Sequence, residues 1–319
     1  MGLTGRLGRA GLALTAAIAL GACGSSSSST TTTGSTSTTS TGGAALPGKG
    51  KPAVTLGDKN FTEELILGQL YAQALRAKGY TVNLKENLGA TELVDKLLTS
   101  GQIDMYPEYT GTILSVIANQ KTPPKTAAAA YAQAKAFEET RGFTLLAATP
   151  FYDSDALAVL PAYATAHSLK TIADLKPLGK KVTLIAAPEF ATRTEGLVGL
   201  KQVYGINPTF KPLSIGLTYT ALDSGDANVA DVFTTDAQLV GGKYVLLSDP
   251  KFVFGFQNVA PVVSKKVLAA EGPAFAQTLN AVSATLSTKA VQTMNAAVSV
   301  DKQTAASVAK TFLAANGLG

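Results

Sequence analysis

The stretch Ile103-Asp104-Met105-Tyr106-Pro107-Glu108-Tyr109-Thr110-Gly111-Thr112 reads as a buried strand that runs into a tight turn and then a helix from Thr112 to Asn119. Such a turn presents side chains at the C-terminal end of a strand, where a helix N-terminus offers free N–H groups and the positive end of its dipole. Thr110 and Thr112 add hydroxyls beside the ring of Tyr109. That grouping suits a small zwitterion. Tyr106 and Tyr109 as core aromatics, with the threonines as helix caps, is the other reading of the same residues.

Working outward, the preceding segments repeat one pattern. Val54–Gly57 is a first strand, Asp58-Lys59-Asn60 a turn, and Phe61 to about Lys78 a helix with Leu65, Ile66, Leu67, Leu70, Ala74 and Leu75 on its buried side. Asn60 and Glu63 are spaced as a capping pair. Thr81–Glu86 alternates as a strand and Thr91–Ser100 is a short helix. Strand, helix, strand, helix, strand is the order of a parallel α/β sheet, whose ligands bind beyond the strands' C-terminal ends. Asp104 and Glu108 are read as structural, given the strand alternation and the break expected at Pro107.

After Pro123-Pro124 an alanine-rich helix, Thr126 to Arg141, leads through Leu145–Thr149 to the strand Ala156–Leu160. A second α/β unit follows. Its strands are Lys181–Ala186, Thr209–Leu213, Ala230–Phe233 and Tyr244–Leu247, and its helices include Thr192–Tyr204, with Arg193 in the first turn, and Tyr219–Ser224. Thr234-Thr235-Asp236 opens a further helix, Val259–Val263 returns to the first unit, and helices from Pro273 finish the chain.

The 319 residues, 46% of them hydrophobic, are enough for two such units. Four of the 27 basic residues (Arg6, Arg9, Lys49 and Lys51) precede Ala53 and no acidic residue does, so the body carries 23 basic against 22 acidic groups. That balance excludes a nucleic-acid footprint. The body has no cysteine and one histidine, His167, in a polar stretch expected at the surface. It has no Gly-x-Gly-x-x-Gly opening a helix and no P-loop, so no catalytic residue, metal site or cofactor is expected.

The N-terminus has the parts of an export signal: Arg6 and Arg9, an apolar run from Ala10 to Leu20, then small residues up to Cys23. Leu20-Gly21-Ala22-Cys23 resembles a bacterial lipobox, which implies removal of residues 1–22 and a lipid on Cys23. Residues 23–52, almost wholly Ser, Thr and Gly as far as Gly50, form a flexible tether. Anchor, spacer and soluble body describe a protein held at the extracytoplasmic face of a cell membrane.

Together, Gly57–Glu63, Ile103–Thr112, Glu189–Gly196 around Arg193, Asp231–Asp236 and Val259–Val263 resemble the substrate-binding proteins of bacterial ABC importers for glycine betaine, carnitine and choline. The resemblance runs from Val54 to the C-terminus. It implies an α/β, two-lobed, venus-flytrap fold of the periplasmic-binding-protein type, with lobe 1 from 53–153 plus 259–319 and lobe 2 from 154–258. It also implies a monomer that captures a small zwitterion between its lobes and delivers it to permease and ATPase subunits.

Carried over by position, Lys59, Thr112 and Arg193 bind a carboxylate, with Asn60, Thr110 and Thr234 beside them, while Tyr109 and Phe233 are walls of an aromatic box for a quaternary ammonium. A trimethylammonium has no N–H to donate, so ring faces recognise it at roughly 0.5 to 2 kcal/mol per contact. Two walls depart from the pattern: Asp155 and Gln257 stand where tyrosines are expected. Either Tyr152, Phe254 or Phe256 swings in to replace them, or the ligand is a hydrogen-bond-donating, amino-acid-like zwitterion or a bulkier betaine with polar substituents. A non-transport sensor or an enzyme on the same fold is the remaining alternative.

Overall fold

The computed structural model describes residues 45–319. Cys23, the signal segment 1–22 and the tether up to residue 44 lie outside the described residues. The last part of the expected tether is docked: the Gly48 N–H donates to the Lys78 carbonyl at 2.9 Å, and Lys51 Nζ reaches the Ala270 carbonyl at 2.8 Å. Gly48 allows this approach because a Cβ there would collide with the Tyr80 backbone and ring.

Among the described residues, ten strands form two mixed five-stranded sheets. The first contains β1 (Val54–Gly57), β2 (Val82–Lys85), β3 (Met105–Tyr109), β4 (Phe143–Leu145) and, far along the chain, β10 (Val259–Ser264), in the order β2-β1-β3-β10-β4. The second contains β5 (Asp155–Val159), β6 (Thr183–Ala186), β7 (Thr209–Pro212), β8 (Val229–Phe233) and β9 (Val245–Leu247), in the order β7-β6-β8-β5-β9. In each sheet the strand that arrives from the other lobe runs antiparallel to both of its neighbours: β10 to β3 and β4, β5 to β8 and β9. The remaining pairings are parallel. These two strands begin where the chain crosses between lobes. Val259–Val263 is thus the expected return into the first sheet.

Every residue of β3 is buried, as a strand covered by helices on both faces must be. Pro107 does not break it. Pro107 stands opposite Pro261 of β10 in the register, so two residues without N–H groups share one position of the ladder. The first sheet is packed between the helix Thr62–Ala77 with the C-terminal helices on one side, and Thr91–Thr99 with Ala127–Thr140 on the other. Tyr71, Phe151 and Phe275 are among the large side chains buried there. The second sheet has its own cores around Leu157, Leu184, Leu200 and Val229, and around Ile185, Leu222 and Val232.

Four local expectations change. The helix after β3 begins at Thr110 rather than Thr112, and widens into a π-helical turn over Ile113–Ile117. The first long helix is entered from an extended Phe61 without a side-chain cap, because Glu63 points inward rather than back to Asn60. The segment from Thr192 to Tyr204 is not one helix: Pro188–Ala191 is a 3-10 turn, and helix resumes only at Leu197. Gly196 is extended and packs so closely on the Phe190 carbonyl that a Cβ would collide with it. Arg193 therefore lies on the loop before that helix. Finally, Thr234-Thr235-Asp236 turns into only a 3-10 segment, Ala237–Leu239, because Asp236 Oδ2 is taken by the Phe233 N–H and the Tyr219 hydroxyl at 2.9 Å each.

Candidate ligand-binding cleft

A cleft of about 630 Å³, open mouth included, lies between the lobes at the ends of β1, β3, β5 and β8. The first lobe contributes Lys59, Asn60, Phe61, Tyr109 and Thr112 to its wall, and the second contributes Asp155, Arg193, Glu195, Asp231 and Phe233. Gln257 closes it beside the crossing strands. Eight of the ten expected binding residues thus come together: Lys59, Asn60, Tyr109, Thr112, Asp155, Arg193, Phe233 and Gln257.

Thr110 and Thr234 are turned to other work. The Thr110 hydroxyl donates to the Phe256 carbonyl at 2.9 Å, and Thr234 Oγ1 donates to Asp153 Oδ1 at 3.1 Å while accepting from the Ser154 N–H at 3.0 Å. Tyr152, Phe254 and Phe256 do not replace the missing aromatic walls. Tyr152 is exposed, Phe254 packs against Phe190, and Phe256 stacks on Phe252. Asp155 and Gln257 do line the cleft, and the aromatic rings that line it with them are Phe61, Tyr109, Phe190 and Phe233.

The two basic groups of the cleft already have partners. Lys59 is 4% exposed; its ammonium pairs with Glu108, lies 3.9 Å from Glu64 and reaches Thr91 Oγ1 at 3.4 Å. It also stands 4.4 Å from the centre of the Tyr109 ring. Tyr109 donates its hydroxyl to Glu63 at 2.7 Å. Arg193 directs Nε and Nη2 at Glu92 of the opposite lobe, at 3.1 and 2.9 Å, and Nη1 lies 3.9 Å from Glu195. Burial works against the Arg193 charge, but Glu92 and Glu195 outweigh it and hold the guanidinium firmly ionised.

Gln257 and Glu195 tie the lobes together at one end. Gln257 Oε1 accepts from the Thr112 N–H at 2.9 Å, and Nε2 donates to Glu195 Oε2 at 2.9 Å. Glu195 further accepts from Thr112 Oγ1 at 3.2 Å and Ser115 Oγ at 2.7 Å. At the other end Thr235 donates to Glu63 at 2.6 Å.

The remaining character of the cleft is aromatic and acidic. Phe61 stacks on Phe233, centroids 5.3 Å apart, and on Tyr109 at 6.1 Å. Asp155 and Asp231 lie on the neighbouring strands β5 and β8 and line the same cleft. Two buried carboxyls this near one another disfavour each other's charge. Burial, with the negative charge of Glu195, pushes Asp155 up to about 7, and burial, with Asp155 as neighbour, raises Asp231 well above its usual value.

Phe61, Glu195 and Asp231 were not assigned to the site from sequence. Asp231 was within reach of it. Side chains two apart in a strand share a face, so a wall at Phe233 places Asp231 on the same side.

The fold agrees with what the chain is similar to. Residues 52–315 match the family of substrate-binding domains of ABC-type glycine betaine transport systems. The chain belongs to that family. Its members are substrate-binding components of transporters and not enzymes.

Among curated relatives of this glycine betaine-type family, the glycine-betaine-binding protein of Pseudomonas aeruginosa is 34% identical over 270 residues, spanning 81% of this chain and 86% of that one. The glycine betaine-binding protein YehZ of Escherichia coli is 30% identical over 286 residues, spanning 86% and 93%. The solved structure of apo YehZ superposes with a TM-score of 0.60 at 28% identity, covering 84% of this chain and 99% of that one. A glycine betaine/carnitine/choline ABC transporter structure, 24% identical, gives 0.67 over 84% and 99% of the two chains, and shares the fold.

Proposed function

We propose that this chain is the extracytoplasmic, lipid-anchored solute receptor of an ABC importer. It captures a small zwitterion of the betaine and quaternary-ammonium class between its lobes and presents it to a membrane permease driven by an ATPase. The observation that carries this reading is the cleft itself. Both lobes contribute to one wall, with the Arg193 guanidinium on it for a carboxylate and the stacked faces of Phe61 and Phe233 for a cation. A ligand that touches both lobes favours their closed arrangement by its differential affinity for it.

In this reading the permease and the ATPase are its partner subunits. No helix among the described residues is long and apolar enough to cross a membrane. The anchor is the lipid on Cys23, and the serine- and threonine-rich segment gives the body reach. The receptor acts as a monomer, without cofactor or nucleic acid.

Asp155 and Gln257 favour a second version of the same role. A carboxyl and an amide where two tyrosines are expected, with Asp231 beside Asp155, favour a cationic end that donates hydrogen bonds, as in an amino-acid-like zwitterion.

Melting temperature measured against glycine betaine, proline betaine, carnitine, choline, ergothioneine and ordinary amino acids tests both. Ligand at a hundredfold excess over its Kd stabilises by roughly 2.7 kcal/mol. A shift with the betaines that Arg193→Ala abolishes supports the first version, and a shift only with N–H donors supports the second. No shift with any compound on the panel overturns the solute-receptor reading. For the anchor, Cys23→Ala is expected to release the protein from the membrane fraction.

A further inference from the structure

A second compartment opens off the cleft. It shares Phe61, Phe233, Asp153 and Asp231 with the cleft and extends to Asn295 and Ser299 of the helix Thr288–Ser299. Its wall carries four carboxyl groups, those of Glu63, Asp153, Asp231 and Asp236, and no lysine, arginine or histidine. Three of them are engaged by the protein. Glu63 accepts from Tyr109, Thr235 and Asn295; Asp153 from the Thr235 N–H and Thr234; Asp236 from the Phe233 N–H and Tyr219.

Two acceptors on this wall are different. Asp231 Oδ1 and Asn295 Oδ1 are buried without a hydrogen-bond partner, on side chains only 7% and 4% exposed. The Asn295 amide has one orientation, because its Nδ2 donates to Glu63 at 3.1 Å and to the Thr235 carbonyl at 3.2 Å. Its oxygen is therefore committed as an acceptor. A buried acceptor with no donor costs about 1 to 3 kcal/mol, so two lining one cavity point to a donor that arrives with a ligand.

The chemistry narrows the class. No group of three or more carboxylate, imidazole or thiol side chains among the described residues is placed to hold a metal ion. A quaternary ammonium has no N–H to give. A primary ammonium brings three donors and a guanidinium five, and the positive charge of either favours ionisation of carboxyls that burial otherwise raises.

We propose that this compartment binds a primary ammonium or guanidinium group, with Asp231 Oδ1 and Asn295 Oδ1 accepting its N–H donors. The group is either the tail of a ligand whose carboxylate lies at Arg193, which rests on the reading of the cleft given above, or a separate small cation, which does not.

The test is calorimetric titration of the full chain near neutral pH with two matched pairs: δ-aminovalerate and its N-trimethyl derivative, and pentylammonium and its N-trimethyl derivative. Each primary ammonium is expected to bind roughly tenfold or more tightly than its methylated partner, and Asp231→Asn to remove most of that difference. If the group is a ligand tail, δ-aminovalerate binds more tightly than pentylammonium and Arg193→Ala brings them level. If it is a separate cation, the two bind alike and Arg193→Ala changes neither.

Equal affinities within each pair, preference for the methylated compounds, or no binding of either primary ammonium overturns the proposal, as does a preference that survives Asp231→Asn. The wild-type comparison decides alone should that variant not fold. Binding of betaines without primary ammonium groups overturns the compartment and leaves the cleft reading intact; binding of primary ammonium groups without betaines supports the compartment and leaves the cleft with the second version of its reading.

Discussion

Arg193 and Glu92 meet across the cleft as fork and carboxylate, Nε to Oε1 at 3.1 Å and Nη2 to Oε2 at 2.9 Å. The first lobe thus supplies to Arg193 the chemical group that a zwitterionic ligand would bring. A carboxylate ligand has to share the guanidinium with Glu92 or displace it, whereas a cation without a carboxylate leaves the pair alone. The Glu92 side chain is 44% exposed, so solvent screens the competition and its size is modest. Glu92→Gln is expected to raise affinity for glycine betaine about two- to tenfold and to leave choline unchanged. Titration calorimetry on both ligands checks this, and an equal change for the two would remove Glu92 as a competitor.

Lys59 has a structural duty whatever it does for a ligand. Glu64 and Glu108, its acidic neighbours, are both 0% exposed. Burial raises Glu64, and the nearby lysine charge is what chiefly opposes that rise. Removing the ammonium leaves buried carboxylate charge uncompensated, at a cost of about 3 to 5 kcal/mol. Lys59→Ala is therefore expected to lose stability by that amount in urea unfolding without any ligand present. A variant with wild-type stability and weakened binding would instead make Lys59 a ligand contact alone.

Much of the first sheet was legible because apolar strands there alternate with amphipathic helices and glycine- or asparagine-bearing turns. Val54–Gly57 and Val259–Val263 fall within a residue of their observed bounds for this reason. The same apolar spacing misled around Arg193. Leu197, Leu200 and Tyr204 have helical spacing, but the close approach of Gly196 to the Phe190 carbonyl, which interrupts the helix, comes from packing that a one-dimensional pattern does not contain. Residues of the cleft carried by motifs were found, while Asn295 was not. It meets Glu63 from 232 residues away, and an asparagine on an exposed-looking C-terminal helix carries no local sign of that partner.

Gly111 is coupled to Gln257 through lack of space. A Cβ on Gly111 would stand 2.7 to 2.8 Å from the Gln257 amide atoms. That amide cannot yield cheaply, because it accepts from the Thr112 N–H and donates to Glu195 and to the Phe254 carbonyl. Gly111→Ala is expected to destabilise the protein by about 1 to 3 kcal/mol and to weaken ligand binding along with it. Gln257→Ala removes the obstruction, so the double variant should be less impaired than the sum of the two single ones. Additive losses in a denaturant-unfolding cycle would show that the two positions act independently.

Asp58 sets a pH dependence of stability. It is 0% exposed; Oδ1 accepts from the Asn87 N–H at 2.6 Å, while Oδ2 is buried against Gly68 without a hydrogen-bond partner. Burial pushes its carboxyl from the usual 3.8 up to about 7, against the Asn87 bond and with help from Glu86. Between those values the folded chain keeps a proton that the unfolded chain has released. Folding then binds protons, so stability falls as pH rises through that window and levels off above it. Glu138 and Asp155, each raised to about 7, and Asp236, raised to about 6, act in the same direction. The protein is therefore expected to melt at a higher temperature near pH 5 than near pH 8. Asp58→Asn, which keeps the neutral form at every pH, should gain about 2 to 4 kcal/mol near pH 8 and almost nothing below pH 4. Urea unfolding of both proteins across this range measures the difference, and parallel curves would assign the pH dependence to the other carboxyls.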